Sequence, residues 1–212
     1  MLLLSGNIKP FVRVEHSTIK ATKTEHIVTK AKGSIVYDID GAPAIEYIQS
    51  MGLVTDKRDV VLDFCGTPFL AKMKMAENDN IEVLRCLGIL NHTKKYCGFL
   101  GKIEEGSEIN MVLLSKEDIE RSVKSAFDEV LQEIESSTDY QYSMILCSSC
   151  SARYCMIVAD KNIEGRAYVG RLPDGVTLQG VYSYGEFSPV KGSIPGSFYN
   201  ILNNETLAIL AI

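Results

Sequence analysis

The last third of the chain contains the pattern that most restricts the possible folds. An apolar run at residues 142–147 and a second strand-like run at residues 176–184 flank a helical stretch. If both runs lie in one sheet, this order makes them parallel, with a right-handed crossover in about 98% of cases. The first run shows little alternation, which is typical of a strand covered on both faces. Residues 151–172 between them are expected to form one helix, or two short helices broken near residues 160–165.

Earlier segments predict mostly antiparallel structure. Residues 8–14 and 25–30 are short extended runs, and residues 34–39 alternate and are β-branched, as a strand would be. Asp40-Gly41 predicts a turn, and residues 43–51 repeat apolar side chains at helical spacing. Further strand-like runs separated by turn residues indicate a meander, at residues 60–64, 69–75, 81–89, 96–102 and 109–114.

A long amphipathic helix follows the meander. Ser115 is a predicted N-cap, with Asp118 as its partner in a capping box. Apolar residues at helical spacing continue for about 20 residues behind it. Together these patterns predict an α+β fold, a largely antiparallel mixed sheet system with one C-terminal βαβ unit and at least three helices.

Three polar signatures interrupt the apolar runs of the last third, at residues 147–153, 184–189 and 203–207. Parallel strands end at the same edge of a sheet, which brings the first two signatures together. The last strand, at residues 206–212, is expected to pair antiparallel with residues 176–184 after a loop at residues 186–203. Its start would then lie at the same edge, where ligands of such sheets often bind.

The chemistry of these groups fits an α-amino acid. Arg153 offers five donors in a planar fork that suits a carboxylate, beside a helix N-terminus at residues 148–151. Glu186 is able to accept hydrogen bonds from an ammonium group, and Asn204 and Thr206 suit either role. Two structural alternatives stay open, a backbone cap formed by Glu186 and surface pairing of Arg153 with Asp160 or Glu164.

Charge and hydropathy exclude several classes of function. The 212-residue chain has a net charge of −5, and its basic residues are interleaved with acidic ones, which disfavours nucleic-acid and membrane-surface binding. No apolar run approaches the roughly 20 residues of a membrane span, and the N-terminus lacks the features of a signal peptide. We therefore expect a cytoplasmic protein.

The six cysteines are expected to be free thiols in a chain of this size. Cys147-x-x-Cys150 lacks a second ligand pair, so neither a metal nor a cofactor is expected. A reactive Cys150 beside Arg153 is an alternative to a buried, inert thiol, and the inert thiol is favoured. The sequence spacing reveals no partner for any histidine, and no complete catalytic set is present, so we expect no enzyme.

Five sequence elements, in order, resemble the C-terminal domain of the FIST family, which comprises intracellular sensory and signal-transduction proteins. They are residues 28–44 with the Asp-Gly-x-Pro-Ala turn, Gly-Ser at residues 106–107, Cys-x-x-Arg at 150–153, Tyr-Gly-Glu-x-x-Pro at 184–189, and Asn-x-Thr at 204–206. The resemblance covers residues 28–212. It leaves residues 1–27 as the remaining strand or strands of a preceding FIST N-type region.

The resemblance implies a sensory domain that binds a small ligand, such as an amino acid, without catalysis of its own. A protein-interaction module that pairs with a partner domain or signalling protein is the main alternative. A haem-based or cysteine-redox sensor is a further one. The expected ligand-binding residues are Cys150, Arg153, Tyr184, Glu186, Asn204 and Thr206.

Overall fold

The computed structural model describes residues 5–16, 20–21, 24–53, 59–61, 67–157, 160 and 162–212. These residues form four α-helices and fifteen β-strands, and most strand pairs are antiparallel. The strands are distributed over a barrel-like sheet system, a separate four-stranded sheet and a two-stranded hairpin. The α+β class expected from the sequence is therefore confirmed.

Six antiparallel strands close into a barrel. They are β3 (His26–Lys32), β4 (Ile35–Ile39), β7 (Pro68–Ala76), β8 (Asp79–Asn91), β9 (Tyr96–Phe99) and β10 (Glu108–Leu113). Pairing runs from β3 through β4, β9, β8 and β7 to β10, which pairs again with β3. Helix α1 (Ala44–Ser50) packs Tyr47 and Ile48 into the core of the barrel, close to Phe69 and Phe99.

Short strands and turns complete the barrel. The strands β2 (Lys20–Ala21), β5 (Ala42–Pro43) and β6 (Val60–Val61) pair with β10, β4 and β8. The predicted turn at Asp40-Gly41 is confirmed, since both residues have positive φ angles, 53° and 76°. Of the predicted strand at residues 60–64, only β6 lies within the described residues.

The predicted βαβ unit is confirmed in the four-stranded sheet. The unit consists of β11 (Met144–Cys150), α3 (Ser151–Met156), α4 (Ile163–Tyr168) and β12 (Thr177–Ser183). β11 and β12 are parallel over seven residue pairs, and the crossover contains two short helices, one of the expected alternatives. The sheet order is β1 (Phe11–His16), β15 (Thr206–Ala211), β11, β12. The boundary between residues 1–27 and 28–212 stays a prediction.

Helix α2 (Lys116–Ser136) covers one face of this sheet. The predicted capping box is present, with Ser115 accepting from the Asp118 backbone and Asp118 bonding back. The buried stripe of α2 packs against β11, β15 and α4, and includes Ile119, Val123 and Phe127. Local sequence therefore determines where this helix begins and which face it buries.

The predicted partner of the last strand is wrong. β15 pairs antiparallel with β11 and with β1, and not with β12. Leu207, Ile209 and Ala211 of β15 are fully buried under α2, which requires a central position in the sheet. β12 carries the polar residues Thr177 and Gln179 and is largely exposed, which suits an edge.

The predicted loop at residues 186–203 is also wrong, because it forms a hairpin of β13 (Glu186–Lys191) and β14 (Phe198–Asn203). The buried side chains of β13 include two polar ones, Glu186 and Ser188, which is the reverse of an ordinary half-buried strand. The tip is fixed to the barrel by Asp79, which accepts a hydrogen bond from Tyr199 at 2.7 Å and one from the Ile194 backbone at 3.1 Å.

The second face of the four-stranded sheet is open. The sequence predicts a strand covered on both faces at residues 142–147, but in β11 alternate residues, such as Leu146 and Ser148, are only half-buried. Val12 of β1 and Val181 of β12 are 53% and 67% exposed. The lack of alternation in the sequence therefore reflects apolar residues on a face that the described part of the chain leaves uncovered.

Candidate functional site

Three chain segments converge at one edge of the four-stranded sheet. β11 ends at Cys150, and the register places Cys150 opposite Ser183, the last residue of β12. β15 begins at the same edge with Thr206, which pairs with His16 at the end of β1. The wrong partner predicted for β15 does not alter this outcome, because a strand antiparallel to either β11 or β12 begins at the edge where both end. We call this edge, with the adjoining residues 186 and 203–205, the rim.

Arg153 lies in the interior below the rim and has no solvent exposure. Its Nε donates to Glu164 Oε1 at 2.8 Å, and its guanidinium also donates to the Ser122 hydroxyl at 3.2 Å and to the Glu205 carbonyl. The pair with Glu164 considered in the sequence analysis is present, but it is buried between α3 and α4 rather than on a helix surface. Asp160 instead bonds Arg166 and Lys116.

Glu205 lies at the turn between β14 and β15, with a positive φ of 56° and a completely buried side chain. Its Oε1 accepts a hydrogen bond from the Cys86 thiol of β8 at 3.3 Å, and its Oε2 has no hydrogen-bond partner among the described residues. Burial raises the pKa of Glu205 to about 7, against the opposing effect of the Cys86 hydrogen bond.

Glu186 presents a second buried carboxyl at the rim. Its Oε1 accepts hydrogen bonds from the Ser183 hydroxyl and, at 3.5 Å, from the Ser148 hydroxyl. Its Oε2 also has no hydrogen-bond partner within the described chain. Burial raises the pKa of Glu186 to about 7, although both serine hydrogen bonds act in the opposite direction.

The amide and hydroxyl side chains of the rim connect these elements. Asn204 Oδ1 accepts from the Cys86 backbone at 3.3 Å, which ties the rim to the barrel. The Thr206 hydroxyl donates to the Asn204 carbonyl at 3.1 Å, and its Oγ1 lies 3.3 Å from His16 Nδ1. The Asn203 amide nitrogen donates to the Ser188 hydroxyl at 2.8 Å, but its Oδ1 has no partner in the described structure.

Cys150 and Tyr184 differ sharply in environment. Cys150 is buried at the rim, and this burial, with Glu186 nearby, raises the pKa of its thiol to about 11. The inert thiol is thus favoured over a reactive one. Tyr184 is 95% exposed and lies outside the hydrogen-bonded group. The structure therefore brings Cys150, Glu186, Asn204 and Thr206 together at the rim, with Arg153 beneath them and Tyr184 outside.

The rim has an excess of hydrogen-bond acceptors. Three buried oxygen atoms there lack donors among the described residues: Glu186 Oε2, Glu205 Oε2 and Asn203 Oδ1. The donors of Arg153 and Asn204 are directed to protein oxygens. A buried acceptor without a donor costs about 1–3 kcal/mol, so the rim favours a bound group that donates hydrogen bonds.

Two hollows border the rim on the open side of the sheet. One, of about 530 Å³, lies between β1 and the β13–β14 hairpin and includes His16, Pro189 and Phe198 in its lining. The other, of about 440 Å³, lies on the open face, with Leu146, Ser148 and Val181 in its lining. His16, in the lining of the first hollow, is hydrogen-bonded to Thr206, and Ser148, in the lining of the second, is hydrogen-bonded to Glu186. Both hollows therefore reach the rim.

Sequence reasoning missed two members of this group. Glu205 lies between Asn204 and Thr206, which were both expected to bind the ligand, and this position in the sequence could have identified it. Cys86 lies in an apolar run with no local signal, and it reaches the rim only because β8 packs beside residues 204–205. No cluster of three or more His, Cys, Asp or Glu side chains in the described residues is arranged to hold a metal ion.

Comparison with known proteins identifies the family. The model of the FIST C domain matches residues 47–189, more than half of the chain. An uncharacterized protein of Methanocaldococcus jannaschii is 27% identical in a region covering 59% of this chain and 25% of the relative, so the chain spans about a quarter of that protein. No solved structure was found to match, and no helix in the described residues is long and apolar enough to cross a bilayer. The chain belongs to the FIST C domain family, a family of sensory domains.

Proposed function

We propose that this domain senses a small ligand that carries an ammonium group, such as an amino acid, and that the ligand binds at the rim. The observation that carries the proposal is the excess of buried acceptors, since Glu186 and Glu205 each have one oxygen for which the described residues supply no donor. An ammonium group supplies three donors and a charge opposite to that of the two carboxylates. A hydrogen bond to a charged group contributes about 1.5–3 kcal/mol, which corresponds to roughly 10–100-fold in affinity.

The residues of the rim have different roles in this proposal. Glu186 receives the ammonium group, because the half-buried Ser148 and Ser183 beside it face the open side of the sheet. Cys150, Asn204 and Thr206 form the surrounding wall. Arg153 acts indirectly, by holding the Glu205 backbone and Glu164 in place, and Tyr184 stays at the outer margin. The raised pKa of the Cys150 thiol supports a domain without catalysis. We further propose that the domain lies in the cytoplasm.

Paired ligands test the proposal. Amino acids and the matching carboxylic acids without the amine should be compared by thermal shift and titration calorimetry. We expect stabilisation by amines only, and a more than tenfold loss of affinity in Glu186→Gln. Glu77→Gln, a change at an exposed glutamate in the turn after β7, is the matched control and should bind normally. Equal binding of the amine-free acids, or an unaffected Glu186→Gln, would refute the ammonium site.

The same site predicts a pH dependence of binding. The pKa values of Glu186 and Glu205 are raised to about 7, so both carboxyls are largely protonated at lower pH. An aliphatic ammonium group stays charged throughout this range. Affinity should therefore rise between about pH 6 and pH 8 as the carboxyls ionise. Affinity that falls or stays constant over this interval argues against contact with these carboxyls.

A protein-interaction module is the second candidate, favoured by the open apolar face of the four-stranded sheet. Val12 and Val181 are exposed on it, and Leu146 and Leu210 are half-buried there. A FIST N-type domain or a signalling protein that covers this face would bury these side chains. Leu210→Lys should abolish binding of such a domain in titration calorimetry, whereas Leu113→Lys on the barrel strand β10 should not. If the two variants weaken binding equally, the partner does not bind to this face.

A further inference from the structure

The outer edge of β12 differs from most exposed strand edges. β12 is the last strand of the four-stranded sheet, and no described strand pairs with its other side. It extends over seven regular residues, Thr-Leu-Gln-Gly-Val-Tyr-Ser, without Lys, Arg, Asp, Glu or Pro. Protein edges are ordinarily protected by such residues, by bulges or by covering segments. The opposite edge strand, β1, contains Arg13 and Glu15.

We propose that β12 pairs with the β12 of a second copy, in an antiparallel arrangement that joins two four-stranded sheets into one of eight strands. The twofold axis passes between the two copies of Gly180, the central residue of the strand. Thr177 of one copy then lies opposite Ser183 of the other, Leu178 opposite Tyr182, and Gln179 opposite Val181. No two like charges meet, because the strand has none.

The side chains of β12 fit this self-pairing. At the axis a glycine faces its own copy, so no side chains have to be accommodated there. Val181 is 67% exposed and Tyr182 is 43% exposed, so both have apolar surface to bury in the pairing. An isologous contact of this kind closes on itself and leaves the opposite edge strand, with Arg13 and Glu15, at the two ends of the larger sheet.

The second copy also alters the open face. Gln179 and Val181 lie on the same face as Leu146 and Ser148, to which the register pairs them. The paired sheets therefore form one continuous open surface, with a rim in each copy. The two rims lie at opposite edges of the joined sheet, since the strands of the two copies run in opposite directions. This inference does not depend on the identity of the ligand.

Cysteine cross-linking tests the register. Directly opposite Cα atoms in antiparallel strands are about 4.5–5.5 Å apart, within the range that a disulfide spans. A Cβ atom at Gly180 has its nearest neighbour at 3.6 Å, so Gly180→Cys should fold normally. Thr177→Cys is the matched control, because its two copies would lie about 20 Å apart. Both changes should be made in a Cys147→Ala, Cys155→Ser parent, because the Cys147 Cβ lies within disulfide distance of position 180 and Cys155 is exposed.

We expect rapid disulfide dimers of Gly180→Cys and none of Thr177→Cys or of the parent. One strand pair buries less area than a standard interface, so the reversible dimer should be weak, with a Kd on the order of 10 µM. In sedimentation experiments at about ten times that concentration, Val181→Lys should be monomeric, whereas Val12→Lys on the other edge should remain dimeric. Equal cross-linking of the two cysteine variants, a monomeric wild type, or a dimer insensitive to Val181→Lys would each overturn the proposal.

Discussion

Replacing Glu205 by glutamine should stabilise the protein at neutral and alkaline pH. The Glu205 side chain is completely buried, and its pKa is raised from 4.5 to about 7. Between these values the folded protein holds the proton that the unfolded chain releases. The contribution of Glu205 to stability is therefore lost as pH rises, and the loss is complete above the folded pKa.

The magnitude follows from the pKa difference. A carboxyl whose pKa rises from 4.5 to about 7 costs the folded state about 3 kcal/mol once it is ionised. Glutamine keeps an oxygen acceptor for the Cys86 thiol and carries no charge. We expect Glu205→Gln to gain about 2 kcal/mol near pH 8, which is about 4–8 °C in Tm for a chain of this length. Near pH 5 the two proteins should be equally stable.

Urea unfolding followed by circular dichroism, at several values between about pH 5 and pH 8.5, measures this difference. The difference between variant and wild type isolates Glu205, because other groups, such as His16 with its pKa lowered to about 4, contribute to both proteins. Glu77→Gln should show no pH-dependent gain. The reasoning fails if Glu205→Gln follows the wild-type curve, or if it is less stable than the wild type at pH 8.

Two further substitutions test the structural framework. Arg153→Ala should destabilise the fold by about 3–5 kcal/mol, because it leaves the buried Glu164 without its ionic partner. The double variant Arg153→Met, Glu164→Gln should recover part of this loss in urea unfolding, and no recovery would mean that the pair is not coupled. Ser115→Ala removes one half of the capping box of α2 and should cost about 1 kcal/mol, whereas Ser136→Ala at the other end of the helix should cost less.

Local signals in the sequence predicted the elements whose structure depends on neighbouring residues. Ser115 and Asp118 define the start of α2, and Asp40-Gly41 defines a turn, because each needs only contacts within a few residues. The parallel pairing of β11 and β12 follows from the helical crossover that joins them within one sheet. These signals do not determine which strand lies between two others, and the position of β15 was therefore predicted incorrectly.

The hairpin and the rim were harder to predict because their polar residues face inward. Glu186 and Ser188 are buried in β13, so the hydrophobic pattern of that strand is inverted and resembles a loop. The partner of Glu205 is Cys86, which is 119 residues away, and no local pattern reveals such a contact. The convergence of residues at the rim was predictable from strand direction, whereas the partner of each side chain was not.

Four buried charged side chains at and beneath the rim fall into two groups that have different explanations. Arg153 and Glu164 satisfy each other and bond Ser122 and Ser149, as expected for a pair that maintains a fold. Glu186 and Glu205 each use one oxygen, and the described part of the chain supplies no donor to the other; their raised pKa values show that their charged forms are disfavoured. Stability alone would favour glutamine at both positions. A donor from outside the chain would explain why both positions carry carboxyls, and this contrast separates the proposed binding rim from the structural layer beneath it.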